Sequence, residues 1–122
     1  MPKFVELDET VTLAQQLEEG GGAITLVNVL TVAPADVDQL LAAWASDAAN
    51  LKTQPGFIST QLHRGIAGSG TFLNTAVWES VAHYRAARNN KELRAKALPY
   101  PDSLTAKPHL FRKIAVPGIC VE

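Results

Sequence analysis

Two asparagines and a tryptophan are the residues whose type and position could bind a ligand. Strand side chains alternate between two faces, so Asn28 falls within the apolar row of segment 23–32, and Asn74 falls within that of segment 71–78, which ends at Trp78. A buried amide without a hydrogen-bond partner costs roughly 1–3 kcal/mol. Each asparagine is therefore expected either to have a structural partner or to face a bound molecule, and periodicity alone leaves both readings open.

The elements that position these residues follow from hydrophobic spacing and turn residues. The pattern predicts the order β-α-β-β-α-β, with strands at 23–32, 57–65, 71–78 and 109–116, and helices at 36–51 and 81–98, the second broken at Asn89–Asn90. This order is the ferredoxin-like plan of the α+β class, in which an antiparallel sheet carries both helices on one face.

The ferredoxin-like plan predicts where the two asparagines meet. The first and third strands are expected to be the central pair, side by side and parallel to each other. Both faces of the first strand are mostly apolar or β-branched, which predicts that this strand is covered on both sides. If Asn28 and Asn74 point toward the helices, they share one space with Trp78 and with Tyr84 of the second helix. Two amides, an indole and a phenol in an apolar cavity are typical of a small-molecule site. The structural alternative is that the amides bond each other or the backbone.

Size and composition limit the remaining classes of function. The chain has 122 residues, 47% of them hydrophobic and 19% charged, with a net charge of −1. These values favour one globular domain, residues 23–122 with a short C-terminal tail, preceded by an N-terminal arm or linker, residues 1–22. No basic field favours nucleic acid and no apolar run suggests a membrane span. The single cysteine, Cys120, fits a reducing compartment, so a cytoplasmic protein is expected.

Three segments carry a resemblance to a known family. The segments 26–32 (LVNVLTV), 54–57 (QPGF) and 74–80 (NTAVWES) resemble the antibiotic-biosynthesis monooxygenase family, over roughly residues 23–116. The resemblance implies a homodimeric α+β barrel, in which the sheets of two ferredoxin-like subunits pack together. In pattern, the chain is most similar to the cofactor-independent anthrone oxygenases of aromatic polyketide pathways.

The resemblance also implies roles for particular residues. It makes Asn28, Asn74, Trp78 and Tyr84 the candidate catalytic residues, acting on a phenolic or anthrone-type substrate and O2 without cofactor or metal. The sequence contains no Gly-rich nucleotide motif and no cluster of metal ligands. Residues expected to contact the substrate are Trp44, Phe57, Phe72, His83, Arg94 and Arg112. For Trp44 and His83, core packing and a surface position, respectively, are the simpler alternatives.

Two other functions remain open at this level. Haem-degrading enzymes share the fold and the first-strand asparagine, but their second-helix tryptophan and iron-binding histidine align with Ala87 and Ala97 here. Because this chain lacks that tryptophan and that histidine, haem degradation is disfavoured. A non-catalytic protein that binds a small ligand is the second alternative, because a fold does not fix a function.

Overall fold

The computed structural model describes all 122 residues, which form one five-stranded sheet and four helices. The strands are β1 (Lys3–Phe4), β2 (Ile24–Thr31), β3 (Phe57–Arg64), β4 (Thr71–Trp78) and β5 (Thr105–Phe111), in the order β1-β5-β2-β4-β3. The helices are α1 (Leu13–Gln16), α2 (Val37–Leu51, after a 3-10 turn at Pro34–Asp36), α3 (Val81–Arg88) and α4 (Lys91–Lys96). No helix is long and apolar enough to cross a membrane.

The ferredoxin-like plan is confirmed by β2, α2, β3, β4, α3–α4 and β5. The predicted break in the second helix is also present. Asn90 begins α4 because its side-chain oxygen accepts hydrogen bonds from the backbone N–H groups of Glu92 and Leu93, at 3.0 and 3.3 Å. The asparagine side chain thus satisfies donors that the first turn of a helix leaves unpaired.

The predicted parallel arrangement of the central strands is wrong. β2 and β4 lie side by side but are antiparallel, over the full register from Ile24↔Trp78 to Thr31↔Thr71. The reason is topological. The crossover through α2 makes β3 run in the direction of β2, and the tight turn after β3 reverses the chain, so β4 runs against β2.

The last strand begins earlier than predicted. β5 spans Thr105–Phe111 rather than residues 109–116, and Pro108 lies inside it, opposite Asn28. A proline is tolerated in a strand close to a sheet edge. Here β1 covers only Thr105 and Ala106, so Pro108 lies where β5 has no further strand beside it.

A β-bulge changes the faces of β3. Simple alternation would place Phe57 with Ser59 on a polar face. The register shifts between Phe57 and Ser59, so Phe57 pairs with Trp78 while Thr60 pairs with Ala76. Phe57 and Thr60 consequently face the same side of the sheet, because the bulge inserts one residue between them.

The N-terminal residues pack on the sheet of the same chain. β1 pairs in parallel with β5. Farther along β5, the Gln16 side chain replaces a neighbouring strand, because its amide bonds both the N–H and the carbonyl oxygen of Leu110, each at 2.9 Å. Leu13 of α1 is buried in the main apolar cluster with Trp78 and Tyr84.

The helices cover one face of the sheet and leave the other open. Ile58, Leu73 and Phe111 are exposed apolar residues of the strands, and the expectation that β2 is covered on both faces is not met within a single chain. One sheet of one chain is not closed into a barrel. The homodimer that the family resemblance implies would bury this open face against a second copy. That dimer stays a prediction.

Candidate functional site

A cavity of about 590 Å³ lies between the inner face of the sheet and the helices. Its walls come from all five strands with the N-terminal residues, from α2, α3 and α4, and from the loop that precedes β5. Of its 27 lining residues, 18 are hydrophobic. Apolar walls with a few polar groups are the usual composition of a small-molecule site. The polar groups therefore decide what this cavity could bind.

Asn28 and Asn74 lie directly opposite each other on β2 and β4, and both line the cavity. They are not hydrogen-bonded to each other. The side-chain oxygen of Asn28 is buried and has no hydrogen-bond partner. That of Asn74 lies 3.1 Å from the Thr60 hydroxyl, which also lies 2.9 Å from the carbonyl oxygen of Thr75. Because the hydroxyl has one proton, it can satisfy only one of these acceptors fully.

Trp78 presents the second buried polar group without a partner. The residue is 1% exposed, and its indole N–H makes no hydrogen bond. The Phe57 ring packs edge-on against the indole, with centroids 5.4 Å apart, and the Tyr84 ring lies 5.8 Å away in a tilted arrangement. These contacts fix the indole, and indole N–H groups usually find a partner when buried.

Tyr84 reaches the cavity from α3 together with Arg88. The Arg88 guanidinium donates to the Tyr84 phenol oxygen at 3.4 Å. Burial raises the pKa of Tyr84; the charge and hydrogen bond of Arg88 oppose that shift, and the nearby Asp47 adds to it. The phenol therefore stays protonated at neutral pH and can donate a hydrogen bond to a bound molecule.

An acidic pair occupies another part of the wall. The Tyr100 hydroxyl donates to Asp47 Oδ2 at 3.2 Å, and both residues line the cavity. Burial raises the pKa of Asp47, an effect that the Tyr100 hydrogen bond partly offsets. The pKa of Tyr100 is raised strongly, first by burial and then by the Asp47 charge. A carboxylate in an apolar wall is a stronger base than one in water.

The structure brings together seven of the ten residues that the sequence proposed. Those that line the cavity are Asn28, Asn74, Trp78, Tyr84, Trp44, Phe57 and Arg94. The first four were expected to act in catalysis, and they occupy two neighbouring strands and the helix that follows.

Phe72, His83 and Arg112, which were also expected to contact the substrate, do not line this cavity. Phe72 shares the inner face with Asn74 but is buried in a second apolar cluster, where the Arg64 guanidinium lies 5.3 Å from its ring centroid. At the start of α3, His83 Nδ1 lies 2.7 Å from the Ser80 hydroxyl.

Arg112 contacts the glycine segment that follows the N-terminal arm. Its guanidinium donates to the carbonyl oxygen of Gly20. The side chain is exposed after the end of β5, outside the cavity. Arg94 and Arg88 are the arginines that reach the cavity.

Four polar lining residues were missed at the sequence level: Asp47, Thr60, Arg88 and Tyr100. For two of them, Asp47 and Arg88, helical spacing in the sequence indicates the position. Asp47 follows Trp44 by three positions and precedes Leu51 by four, so it occupies the apolar stripe of α2. Arg88 follows Tyr84 by four positions on α3, so the two share a helix face.

The cavity offers little to a metal or to haem iron. No group of three or more His, Cys, Asp or Glu side chains is arranged to hold a metal ion. None of the three histidines lines the cavity, nor does Cys120. Histidine and cysteine are the commonest protein ligands of haem iron. Ala87 and Ala97, which the family resemblance aligns with the tryptophan and histidine of haem-degrading enzymes, both line this cavity.

Comparison with known proteins gives one family. The family model described as "Antibiotic biosynthesis monooxygenase" matches residues 23–97. A search of curated proteins found no match.

Several solved structures are similar. SnoaB, a cofactor-independent oxygenase from Streptomyces nogalater, is 27% identical with a TM-score of 0.66, and the match covers 80% of this chain and 99% of SnoaB. A Shewanella loihica PV-4 protein, provisionally assigned as a monooxygenase, is 25% identical with a TM-score of 0.67, covering 80% and 99%. The haem degrader MhuD from Mycobacterium tuberculosis is 24% identical with a TM-score of 0.59, covering 78% and 99%, and at this identity it supports the fold alone.

Proposed function

Because the chain belongs to the antibiotic biosynthesis monooxygenase family, we propose that it is an oxygenase that oxidises a phenolic or anthrone-type aromatic substrate to a quinone with O2 and without a bound cofactor. The observation that carries this proposal is a pair of unpartnered polar atoms on two residues that line the cavity. Asn28 Oδ1 and the Trp78 indole N–H are both buried without a hydrogen bond, and both residues line one apolar space.

An unpartnered buried polar atom costs free energy that a ligand could recover. Asn28 offers an acceptor and Trp78 offers a donor. This pair fits a molecule that carries a hydroxyl group and a second oxygen on which negative charge develops. A phenolic hydroxyl can donate to Asn28 Oδ1. An enolate oxygen can accept from the Trp78 indole and from the Asn74 amide, two donors that the sheet holds in place.

The reaction needs no redox group on the protein. The substrate loses a C–H proton and becomes a carbanion or enolate. The anion transfers one electron to O2, and the two radicals combine to a peroxide. Proton uptake and loss of water then leave a carbonyl, so one CH2 and one O2 become one C=O and one H2O. We assign Asn28, Asn74 and Trp78 to holding the anion and oxygen, and Tyr84 to returning a proton to the peroxide.

The alternatives have less support from the cavity. Haem degradation would require an iron ligand, and the cavity lacks the histidine and cysteine that usually supply one. A binding protein without catalysis would use the same cavity and the same donors. Oxygen consumption separates the binding protein from the oxygenase.

We also propose that the protein is a cytoplasmic homodimer. The open sheet face carries exposed apolar side chains such as Leu73 and Phe111, which a second copy would cover. The single cysteine, Cys120, is a free thiol, which fits a reducing compartment. The proposed small-molecule partners are the aromatic substrate and O2.

The test is oxygen uptake with dithranol, an anthrone, by purified protein without added cofactor. We expect protein-dependent uptake, falling about 100-fold or more in Asn74→Ala and in Trp78→Phe, as when a charge-stabilising donor is removed elsewhere. Asn89→Ala, at an exposed asparagine outside the cavity, is the control and should keep full uptake. Wild-type protein without uptake would reject the oxygenase, and unchanged uptake in both cavity variants would reject the assigned roles.

A further inference from the structure

The proposed reaction requires a base, and none of its four assigned residues can serve as one. Amides and indoles do not accept protons near neutral pH, and Tyr84 is a protonated phenol. Among the residues that line the cavity, Asp47 is the only carboxylate, and the other charged side chains are Arg88 and Arg94. We infer that Asp47 is the general base that removes the C–H proton of the substrate, an inference that rests on the proposed function.

The geometry of Asp47 suits that role. It lies on α2, across the cavity from the sheet that carries the asparagines. Oδ2 accepts the hydrogen bond of Tyr100 at 3.2 Å, which orients the carboxylate. Oδ1 has no hydrogen-bond partner in the chain. One oxygen is thus held and the other is free to take a proton, as in general bases oriented by a second group.

Asp47 also lies near Tyr84, one of the four assigned residues. Its charge acts on the Tyr84 phenol, and the Tyr84 ring is 5.8 Å from that of Trp78. A planar substrate between α2 and the sheet would expose its CH2 to the carboxylate and its oxygen to the donors. In an anthrone these two groups lie on opposite sides of the central ring, so loss of the proton at one carbon places charge on the distant oxygen.

The proton transfer balances without another reactant. The substrate C–H bond breaks, its electron pair stays on the substrate, and an O–H bond forms at Asp47 Oδ1. Asp47 can then pass this proton to the peroxide, directly or through Tyr84, and the water that leaves carries it away. The carboxylate is regenerated in each cycle.

The charged and titratable groups around Asp47 determine its pH response. Tyr100 donates a hydrogen bond to it from the loop before β5, and the charge of Asp47 acts on Tyr84 of α3. Arg88 of α3 and Arg94 of α4 are the other charged side chains that line the same cavity. The base acts in its ionised form, so the rate should rise with pH as Asp47 loses its proton and then reach a plateau. The Tyr100 hydrogen bond lowers the pKa of Asp47. In Tyr100→Phe the rise should therefore move to higher pH.

Anaerobic exchange of the substrate protons tests the base separately from the oxygenation. Dithranol in D2O is followed by NMR, and the protein-dependent loss of the CH2 signal is measured over the buffer rate. We expect wild-type protein to accelerate exchange, and Asp47→Asn to lose this acceleration and the oxygen uptake by about 100-fold or more. Asparagine still accepts the Tyr100 hydrogen bond, so the wall keeps its structure. Asp38→Asn, at an exposed acid on the same helix, is the matched control and should behave as wild type.

The outcomes separate the two proposals. If Asp47→Asn consumes O2 and exchanges protons as fast as wild type, Asp47 is not the base and the oxygenase stands. If wild type accelerates exchange, Asp47→Asn does not, and neither consumes O2, the base stands and the oxygenase fails. If wild type does neither, both proposals are rejected. Quenching of tryptophan fluorescence by dithranol should be similar in wild type and Asp47→Asn, and a loss of quenching would assign Asp47 to binding instead.

Discussion

Asn28→Leu should make the protein more stable and less active. The Asn28 side-chain oxygen is buried without a partner, and leucine has a similar size without a polar atom. An unsatisfied buried acceptor costs about 1–3 kcal/mol. Asn28 as a whole is only partly buried, so we take the lower part of that range, about 1–2 kcal/mol.

The expected gain is large enough to measure. For a domain of 122 residues, each kcal/mol corresponds to about 4 °C in melting temperature, so Asn28→Leu should raise it by about 4–8 °C. Urea unfolding followed by tryptophan fluorescence gives the free energy directly. Protein concentration must be equal in all samples, because dimerisation would add to the apparent stability. Oxygen uptake with dithranol should fall in the same variant, since the acceptor for the substrate hydroxyl is gone.

Asn74→Leu is the matched comparison, because Asn74 lies opposite Asn28 on the neighbouring strand. The side-chain oxygen of Asn74 already has the Thr60 hydroxyl at 3.1 Å, so its removal costs a hydrogen bond and should give a smaller gain or a loss. If Asn28→Leu is less stable than wild type, its oxygen has a partner in the folded protein, and the argument from an unpaired acceptor is refuted.

Three further predictions concern the arm, one turn and one carboxyl group. Leu13→Ala should destabilise the fold by about 2–5 kcal/mol in urea, because Leu13 is 5% exposed in the main cluster; an effect near zero would mean that the arm does not pack there. Gly56→Ala should lower the melting temperature, because Gly56 has φ +85° and a Cβ atom would overlap the His83 ring; an unchanged value would contradict the turn geometry. Because the pKa of Asp47 is raised on folding, its ionisation opposes the fold, so wild-type stability should fall as pH rises from the ordinary aspartate value of 3.8 through the raised pKa. Asp47→Asn should lack that fall and be more stable at neutral pH, and identical pH profiles would show that burial does not disfavour the charged form.

Alternation and turn residues sufficed to predict most of the sheet. The bounds of β4 are as predicted, because the sequence alternates regularly between two faces from Thr71 to Trp78 and glycines precede it. The family prediction from the three segments is confirmed by the match over residues 23–97. The shared cavity of Asn28 and Asn74 follows from the faces of β2 and β4, which do not depend on whether the strands run parallel or antiparallel.

The features of the sheet and the cavity that were not predicted depend on contacts between distant segments, which a periodic pattern does not contain. The bulge in β3 brings Phe57 to the inner face, and it depends on the register against β4. Tyr100 lies in a loop, where no periodicity predicts the direction of a side chain. Phe72 shares a face with Asn74 but belongs to a second cluster, because the cavity occupies only part of that face.

Incorporation of oxygen from ¹⁸O2 tests the central claim most directly. Metal-free protein is supplied with dithranol and ¹⁸O2, and the quinone is analysed by mass spectrometry. The account predicts one labelled oxygen in each quinone, one O2 consumed for each quinone formed, and loss of the protein-dependent product when Asn28→Ala, Asn74→Ala and Trp78→Phe are combined. Unlabelled quinone formed together with hydrogen peroxide, or equal product from the triple variant, would contradict it.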